Sequence, residues 1–108
     1  MQFIAAISDI KDRYDAFVTD IWGVLHDGAK TYPGVIDCLR ELRSCGKKVI
    51  LLSNSGRRAQ VVSTDLCGFG ITPELYTSVV TSGELTHLGF KTNVDVRLQH
   101  LGRSYYLF

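Results

Sequence analysis

No stretch of this sequence stays apolar for long. The longest runs, such as Val49 to Leu52, fall far short of the roughly 20 residues that span a bilayer. Charge of one sign is equally scarce. A net charge of +1 gives no electrostatic case for nucleic acid or an anionic membrane as partner. The start, Met1 to Ile10, has no basic leader and acquires Asp9 early, so a secretory signal is not expected and a cytoplasmic protein is. The three cysteines, Cys38, Cys45 and Cys67, include no C-x-x-C pair, which argues against a zinc or redox centre. They are expected as reduced core residues, with Cys38 and Cys45, seven positions apart, on one apolar helix face. Repeats and low-complexity linkers are also missing. What remains is the composition of one small globular domain: 108 residues, 45% hydrophobic and 21% charged.

The chain is organised around Phe17 to Gly28, Phe-Val-Thr-Asp-Ile-Trp-Gly-Val-Leu-His-Asp-Gly. Phe17, Val18 and Thr19 suit a buried strand, and Asp20 ends it with an ionisable group. Gly23 then permits a tight change of direction. An acid at the end of an apolar strand is where an open α/β sheet presents its chemistry. It is equally a common way to end a strand or cap the next element, so Asp20 alone leaves both readings open.

Around this stretch the pattern alternates between helix and strand. Phe3, Ile4, Ile7, Ile10 and Tyr14 follow helical spacing and predict a short amphipathic helix over residues 3–14. Pro33 suits a first helical position, and Val35, Leu39, Leu42 and Cys45 continue the row to a left-handed cap at Gly46. Val49 to Leu52 does not alternate, which predicts a strand buried on both faces of a parallel sheet. Strand, helix and strand in that order imply a right-handed crossover, so Asp20 and Ser53 come to the same sheet edge. The next helix is expected over residues 58–67, with Ala59, Val62 and Leu66 buried. Val79 and Val80 make a third strand, and Ser82 caps a helix from Glu84 to Leu88. Residues 91–102 fit strand and helix about equally, and Ser104 to Phe108 read as a further apolar strand. Its ending without turn or polar tail predicts an incomplete chain. His87 and His100 lack partners at ligand spacing and read as surface or packing residues.

Asp-Ile-Trp-Gly-Val-Leu, followed by His-Asp-Gly, resembles the first motif of the haloacid dehalogenase-like (HAD) hydrolases. It looks most like subclass IIA, whose large cap is inserted after the second motif. Val49-Ile50-Leu51-Leu52-Ser53-Asn54 resembles the second motif, and the Thr81-Ser82-Gly83 ending suits the same subclass. The resemblance implies an α/β fold with a Rossmann-like parallel sheet flanked by helices. Residues 1–108 would be its N-terminal part, with the cap domain and the C-terminal half of the core absent. It implies phosphate-ester hydrolysis through an aspartyl phosphate on Asp20, with Mg2+ held by Asp20 and the backbone carbonyl of Trp22. A carboxylate with an ordinary pKa of about 3.9 is already ionised at neutral pH and needs no activating base. Ser53 would bond a phosphoryl oxygen, helped by N–H groups at the next helix start, and Asn54 would orient the nucleophile or the substrate. On the residues alone, Ser53 reads first as a helix N-cap. Arg57 and Arg58 read as solvated first-turn residues or as help for an anion, and His26 as a flap residue rather than a base.

One position departs from the family pattern. Trp22 stands where most of its phosphatases carry a second Asp as acid and base, and an indole has only an N–H to donate. The family's later lysine and acidic pair are also not in evidence: Lys91 is the one late lysine, placed in a polar loop, and Asp95 stands alone. The expected partner is a small phosphorylated substrate. The alternative is a non-catalytic α/β remnant or binding module. Either way, an unpaired sheet edge predicts self-association.

Overall fold

A computed structural model describes residues 4–93, 95–102 and 104. Its organising element is a three-stranded parallel sheet in the order β1–β2–β3, with β1 at Ala16–Asp20, β2 at Lys48–Ser53 and β3 at Ser78–Thr81. Helix α1, Val35–Ser44, joins the first pair and α2, Ala59–Gly68, the second; α3, Ser82–Thr92, comes after β3. In register, Asp20 lies opposite Leu52, and Ser53 opposite Thr81.

Both crossovers step the same way along the sheet, and right-handedness therefore puts α1 and α2 on the same face. Leu39 and Leu42 of α1 and Val62 and Leu66 of α2 share one core with Val49 and Leu51, together with Ile71, Leu75 and Tyr76 from the α2–β3 connection. The expectation that β2 is buried on both faces is not met. Leu51 is fully buried, whereas Leu52 is 46% exposed, and Val18 on the adjacent strand 66%. Burial follows the period-2 alternation of a one-sided sheet.

The N-terminal helix expected over residues 3–14 is replaced by two single 3₁₀ turns, Ile7–Asp9 and Lys11–Arg13, with no buried residue in either. The Asp9 carboxylate accepts the backbone N–H groups of Ala5 and Ala6, closing the first turn on itself. Ile4, Ile7 and Tyr14 remain exposed, and without a core to cover, helical spacing does not sustain so short a helix. Phe3 lies outside the described residues.

Helix α1 starts later than Pro33 suggests, at Val35, because Gly34 forms the N-cap in the left-handed region at φ 81°. Its end is as expected. Gly46 at φ 73° lets its own N–H reach the Arg43 carbonyl and that of Lys47 reach Leu42, a Schellman closure. Core positions for all three cysteines are not found: Cys38 is half-buried, and Cys45 and Cys67 are exposed. Cys45 has left the helical face as the C-cap residue. Cys67 comes directly after the buried Leu66 on α2 and faces away from the core.

Helix α3 is capped by Thr81, whose side chain accepts the Glu84 N–H, rather than by Ser82. It runs past Leu88 to Thr92 and ends at Asn93 in the left-handed conformation. Lys91 is thus an exposed residue of the last helical turn instead of a loop residue. Residues 96–100 form turns, so the ambiguous stretch contributes no strand among its described residues. Val94 and Tyr105 to Phe108, with the strand expected there, lie outside the described residues. No described helix is long and apolar enough to cross a membrane.

Candidate active site

The parallel register fixes the first feature of the site. Asp20 closes β1, Ser53 closes β2 one residue beyond Asp20's partner Leu52, and Thr81 closes β3 beside Ser53. All three therefore sit on the C-terminal edge of the sheet, where open α/β folds bind ligands. Asp20 is exposed, and its Oδ1 accepts the Ile21 N–H at 2.7 Å. Ser53 is half-buried, and its Oγ accepts the Ser55 N–H at 3.2 Å, leaving its own proton free to donate. Asn54 is exposed beside it.

Ser53 is not a helix N-cap, because α2 begins six residues later, at Ala59 with Arg58 as its cap. That helix start is also not open to a phosphate. The Glu84 carboxylate occupies it, accepting the Ala59 N–H at 3.0 Å and the Arg58 guanidinium through two bonds of 2.6 and 3.0 Å. The Arg58 bond, then the Ala59 N–H, hold the Glu84 carboxyl down at about 2, and the same contact raises Arg58. Two more bonds complete this clamp: Thr81 donates through its hydroxyl to the Arg57 carbonyl at 2.6 Å, and the Gly83 N–H donates to the Ser55 carbonyl at 3.0 Å. The approach is so close that a Cβ on Gly83 would lie 2.0 Å from the Gly56 oxygen. Loop 53–58 is thus pinned to the start of α3. Arg57 is engaged as well, paired with Asp65 on α2.

The second wall is the flap after β1. Gly23 turns at φ 79° and donates its N–H to the His26 carbonyl at 2.9 Å. The Asp27 carboxylate accepts the N–H groups of Ala29 and Lys30, and these bonds, that to Lys30 foremost, lower its pKa. Gly28 at φ 91° lies against the Trp22 indole, where a Cβ would approach the ring to 2.3 Å. His26 is the residue whose weight the sequence did not show. It lies in the flap as expected, but it is only 6% exposed. Its ring stacks on Phe69 at 4.2 Å and 8° and meets the Trp22 ring edge-on at 5.3 Å. Its Nδ1 accepts the Gly28 N–H at 3.0 Å. Thr31 fastens the same flap to the end of α2 by donating to the Phe69 carbonyl at 2.6 Å. Phe69 lies just past α2, outside the motifs read from the sequence, so nothing there announced this partnership.

Between flap, loop 53–58 and α2 lies an open recess of about 540 Å³, with Trp22, His26, Ser53, Leu66 and Phe69 among its lining residues. For Mg2+, Asp20 and the Trp22 carbonyl offer hard oxygen donors, the kind this ion prefers. Among the described residues, none donates a backbone hydrogen bond to that carbonyl, and no group of three or more His, Cys, Asp or Glu is placed to hold a metal. The donors fit in kind, and the remaining octahedral positions would fall to water and a phosphate, as is usual for this ion.

A family model described as haloacid dehalogenase-like hydrolase matches residues 17–104. The chain belongs to this family. It is 32% identical over 97 residues to a 4-nitrophenylphosphatase of Schizosaccharomyces pombe, covering 86% of this chain and 33% of that protein. It is 36% identical over 56 residues to chronophin of Bos taurus and of Homo sapiens, covering 52% of this chain and 19% of theirs. Among solved structures, a haloacid dehalogenase-like hydrolase from Brucella suis 1330 superimposes with a TM-score of 0.71 at 36% identity, over 79% of this chain and 33% of that one. A hypothetical protein from Pyrococcus horikoshii OT3 superimposes with a TM-score of 0.63 at 28% identity, over 76% and 31%. This HAD chain thus spans about a third of the length of the 4-nitrophenylphosphatase and of the Brucella suis hydrolase.

Proposed function

We propose that the edge formed by Asp20 and Ser53 binds and cleaves phosphate monoesters. The observation that carries this reading is the register, which brings an exposed carboxylate and a free hydroxyl to one sheet edge beside a recess that Ser53 itself lines. The naming of relatives as 4-nitrophenylphosphatase and chronophin supports a phosphorylated substrate. Asp20 attacks phosphorus, the ester P–O bond breaks, and the aspartyl phosphate forms as the alcohol leaves. Water then attacks phosphorus, phosphate departs, and the Asp20 carboxylate is restored. Ser53 donates to a phosphoryl oxygen during both displacements, and Asn54 orients the phosphoryl group. Mg2+, when bound, offsets the repulsion between carboxylate and phosphate.

Trp22 shapes the expected substrate range. With an indole at the acid and base position, the leaving oxygen takes its proton from water, so aryl phosphates should turn over much faster than alkyl phosphates. We also infer that residues 1–108 are the N-terminal part of a HAD core of subclass IIA, whose cap and remaining core lie outside this sequence. A match to one third of the relatives' length supports this, and the cytoplasm remains the compartment proposed.

The second reading, a non-catalytic binding module, is favoured by Trp22 at the acid and base position and by finding, among the described residues, no group of three or more His, Cys, Asp or Glu placed to hold a metal. A Mg2+-dependent assay of 4-nitrophenyl phosphate hydrolysis by the chain and by Asp20→Asn separates the two. Release of nitrophenol that vanishes in the variant supports catalysis. Equal silence from both proteins sinks it for these 108 residues.

A further inference from the structure

The recess beside the site contains a hydrogen-bond donor that the proposed chemistry does not use. His26 is buried, and its Nδ1 is already an acceptor for the Gly28 N–H. In the neutral ring the proton therefore sits on Nε2. Among the described residues Nε2 has no hydrogen-bond partner, yet it is not one of the side-chain atoms sealed from solvent. His26 lines the recess. The ring cannot swing away, because Phe69 stacks on one face and Trp22 abuts it edge-on. A fixed N–H, unpaired among the described residues and set beside the apolar Leu66 and Phe69 and the Trp22 indole, is the arrangement that selects a ligand bearing an acceptor.

The same bond rules out another role. Donation of the Nε2 proton from a neutral ring would leave an imidazolate, so His26 in this geometry is a donor of a hydrogen bond and not of a proton. Around it, Trp22, Leu66 and Phe69 offer flat or apolar surface. Ser53, in the loop that forms the other wall of the recess, marks where a phosphoryl group would enter under the proposed function.

We propose that this recess is the subsite for the organic group of the substrate, that the group is aromatic, and that His26 Nε2 donates a hydrogen bond to an oxygen carried on it. The phosphate end of this assignment rests on the phosphatase reading; the recess and its donor do not. A compact aryl group suits a hollow of about 540 Å³, within the usual size of small-ligand sites.

The test separates the two. Trp22 is the chain's one tryptophan, so its fluorescence reports on the recess, and long-range ¹H–¹⁵N spectra report on the His26 ring nitrogens. The 108-residue chain is titrated in turn with phenyl phosphate, phenol and inorganic phosphate. Phenyl phosphate and phenol should shift His26 Nε2 and change Trp22 emission, while inorganic phosphate leaves both unmoved. His26→Asn, which keeps an acceptor for Gly28 but has no atom at the Nε2 position, should weaken phenyl phosphate roughly fivefold. His26→Gln, which restores a donor there, should recover most of it. Phenol binding at His26 with no phosphate binding anywhere would keep the subsite and overturn the phosphatase reading. Phenyl phosphate binding that leaves His26 and Trp22 unmoved would overturn the subsite and keep that reading. No response at His26 to any probe overturns the subsite.

Discussion

Leu51 and Leu52 are neighbours in one strand with opposite fates. The first lies on the face covered by α1 and α2 and is fully buried; the second lies on the other face and is 46% exposed. The covered face holds the site together. The flap residues Ile21 and Leu25 belong to its core, and so does the α2 row that lines the recess. On the bare face, Val18 and Leu52 line no part of the recess. Sidedness here is a consequence of chain path. Two right-handed crossovers in the same direction cover one side only, and the neighbouring α3 leaves Leu85 and Leu88 exposed.

The comparison is sharpened most by truncation on the covered face. Leu51→Ala should cost about 3 kcal/mol, since it empties a fully packed position, and Leu52→Ala only about 0.5 kcal/mol. Urea denaturation of both variants measures the contrast, and equal losses would erase the distinction between the faces. Next in size is the clamp at the site edge. Gly83→Ala should cost about 2 kcal/mol and release loop 53–58, because its Cβ meets backbone rather than a movable side chain. Hydrogen exchange at Ser55 and Arg57 would register the loosening; unchanged protection would mean the loop holds without α3.

The ionic part of that clamp is read through pH. The Glu84 carboxyl titrates at about 2 in the fold instead of its ordinary 4.5. A lowered folded pKa gives stability that is complete above about 4.5 and is lost as the pH falls toward 2. Thermal midpoints should therefore drop over that window in the wild type and drop less steeply in Glu84→Gln. Parallel curves would show that Glu84 does not carry the effect. The smallest effect on stability belongs to the bare face. Val18→Lys and Leu52→Lys should leave urea midpoints almost unchanged while reducing self-association in light scattering. Scattering identical to that of the parent would remove the sheet face and the β1 edge as the contact surface.

Much of this was legible because it is local chemistry. Gly46 announced its left-handed cap, and the order of strand, helix and strand announced that Asp20 and Ser53 share an edge. What went unread depends on distant partners. The spacing of Ile4, Ile7 and Tyr14 looks helical, but periodicity says nothing of whether a core lies opposite, and Asp9 closes a tight turn there instead. Ser53 and Ser82 both looked like helix caps. Thr81 took one role and Arg58 the position of the other, because Glu84 reaches back across the loop to satisfy Ala59.

The sequence by itself determined the alternation of strand and helix, the parallel topology, and the family to which the motifs at Asp20 and Ser53 belong. These rest on nearest-neighbour sterics, on the pattern of apolar residues and on the handedness of the crossover. Only the tertiary structure decided which face of β2 is covered, that a clamp from α3 fills the helix start offered to a phosphate, and that His26 is pinned between Phe69 and Trp22 with one nitrogen unpartnered among the described residues. Each of those depends on groups far apart in the chain meeting at contact distance, and burial and hydrogen bonding act on what is near in space.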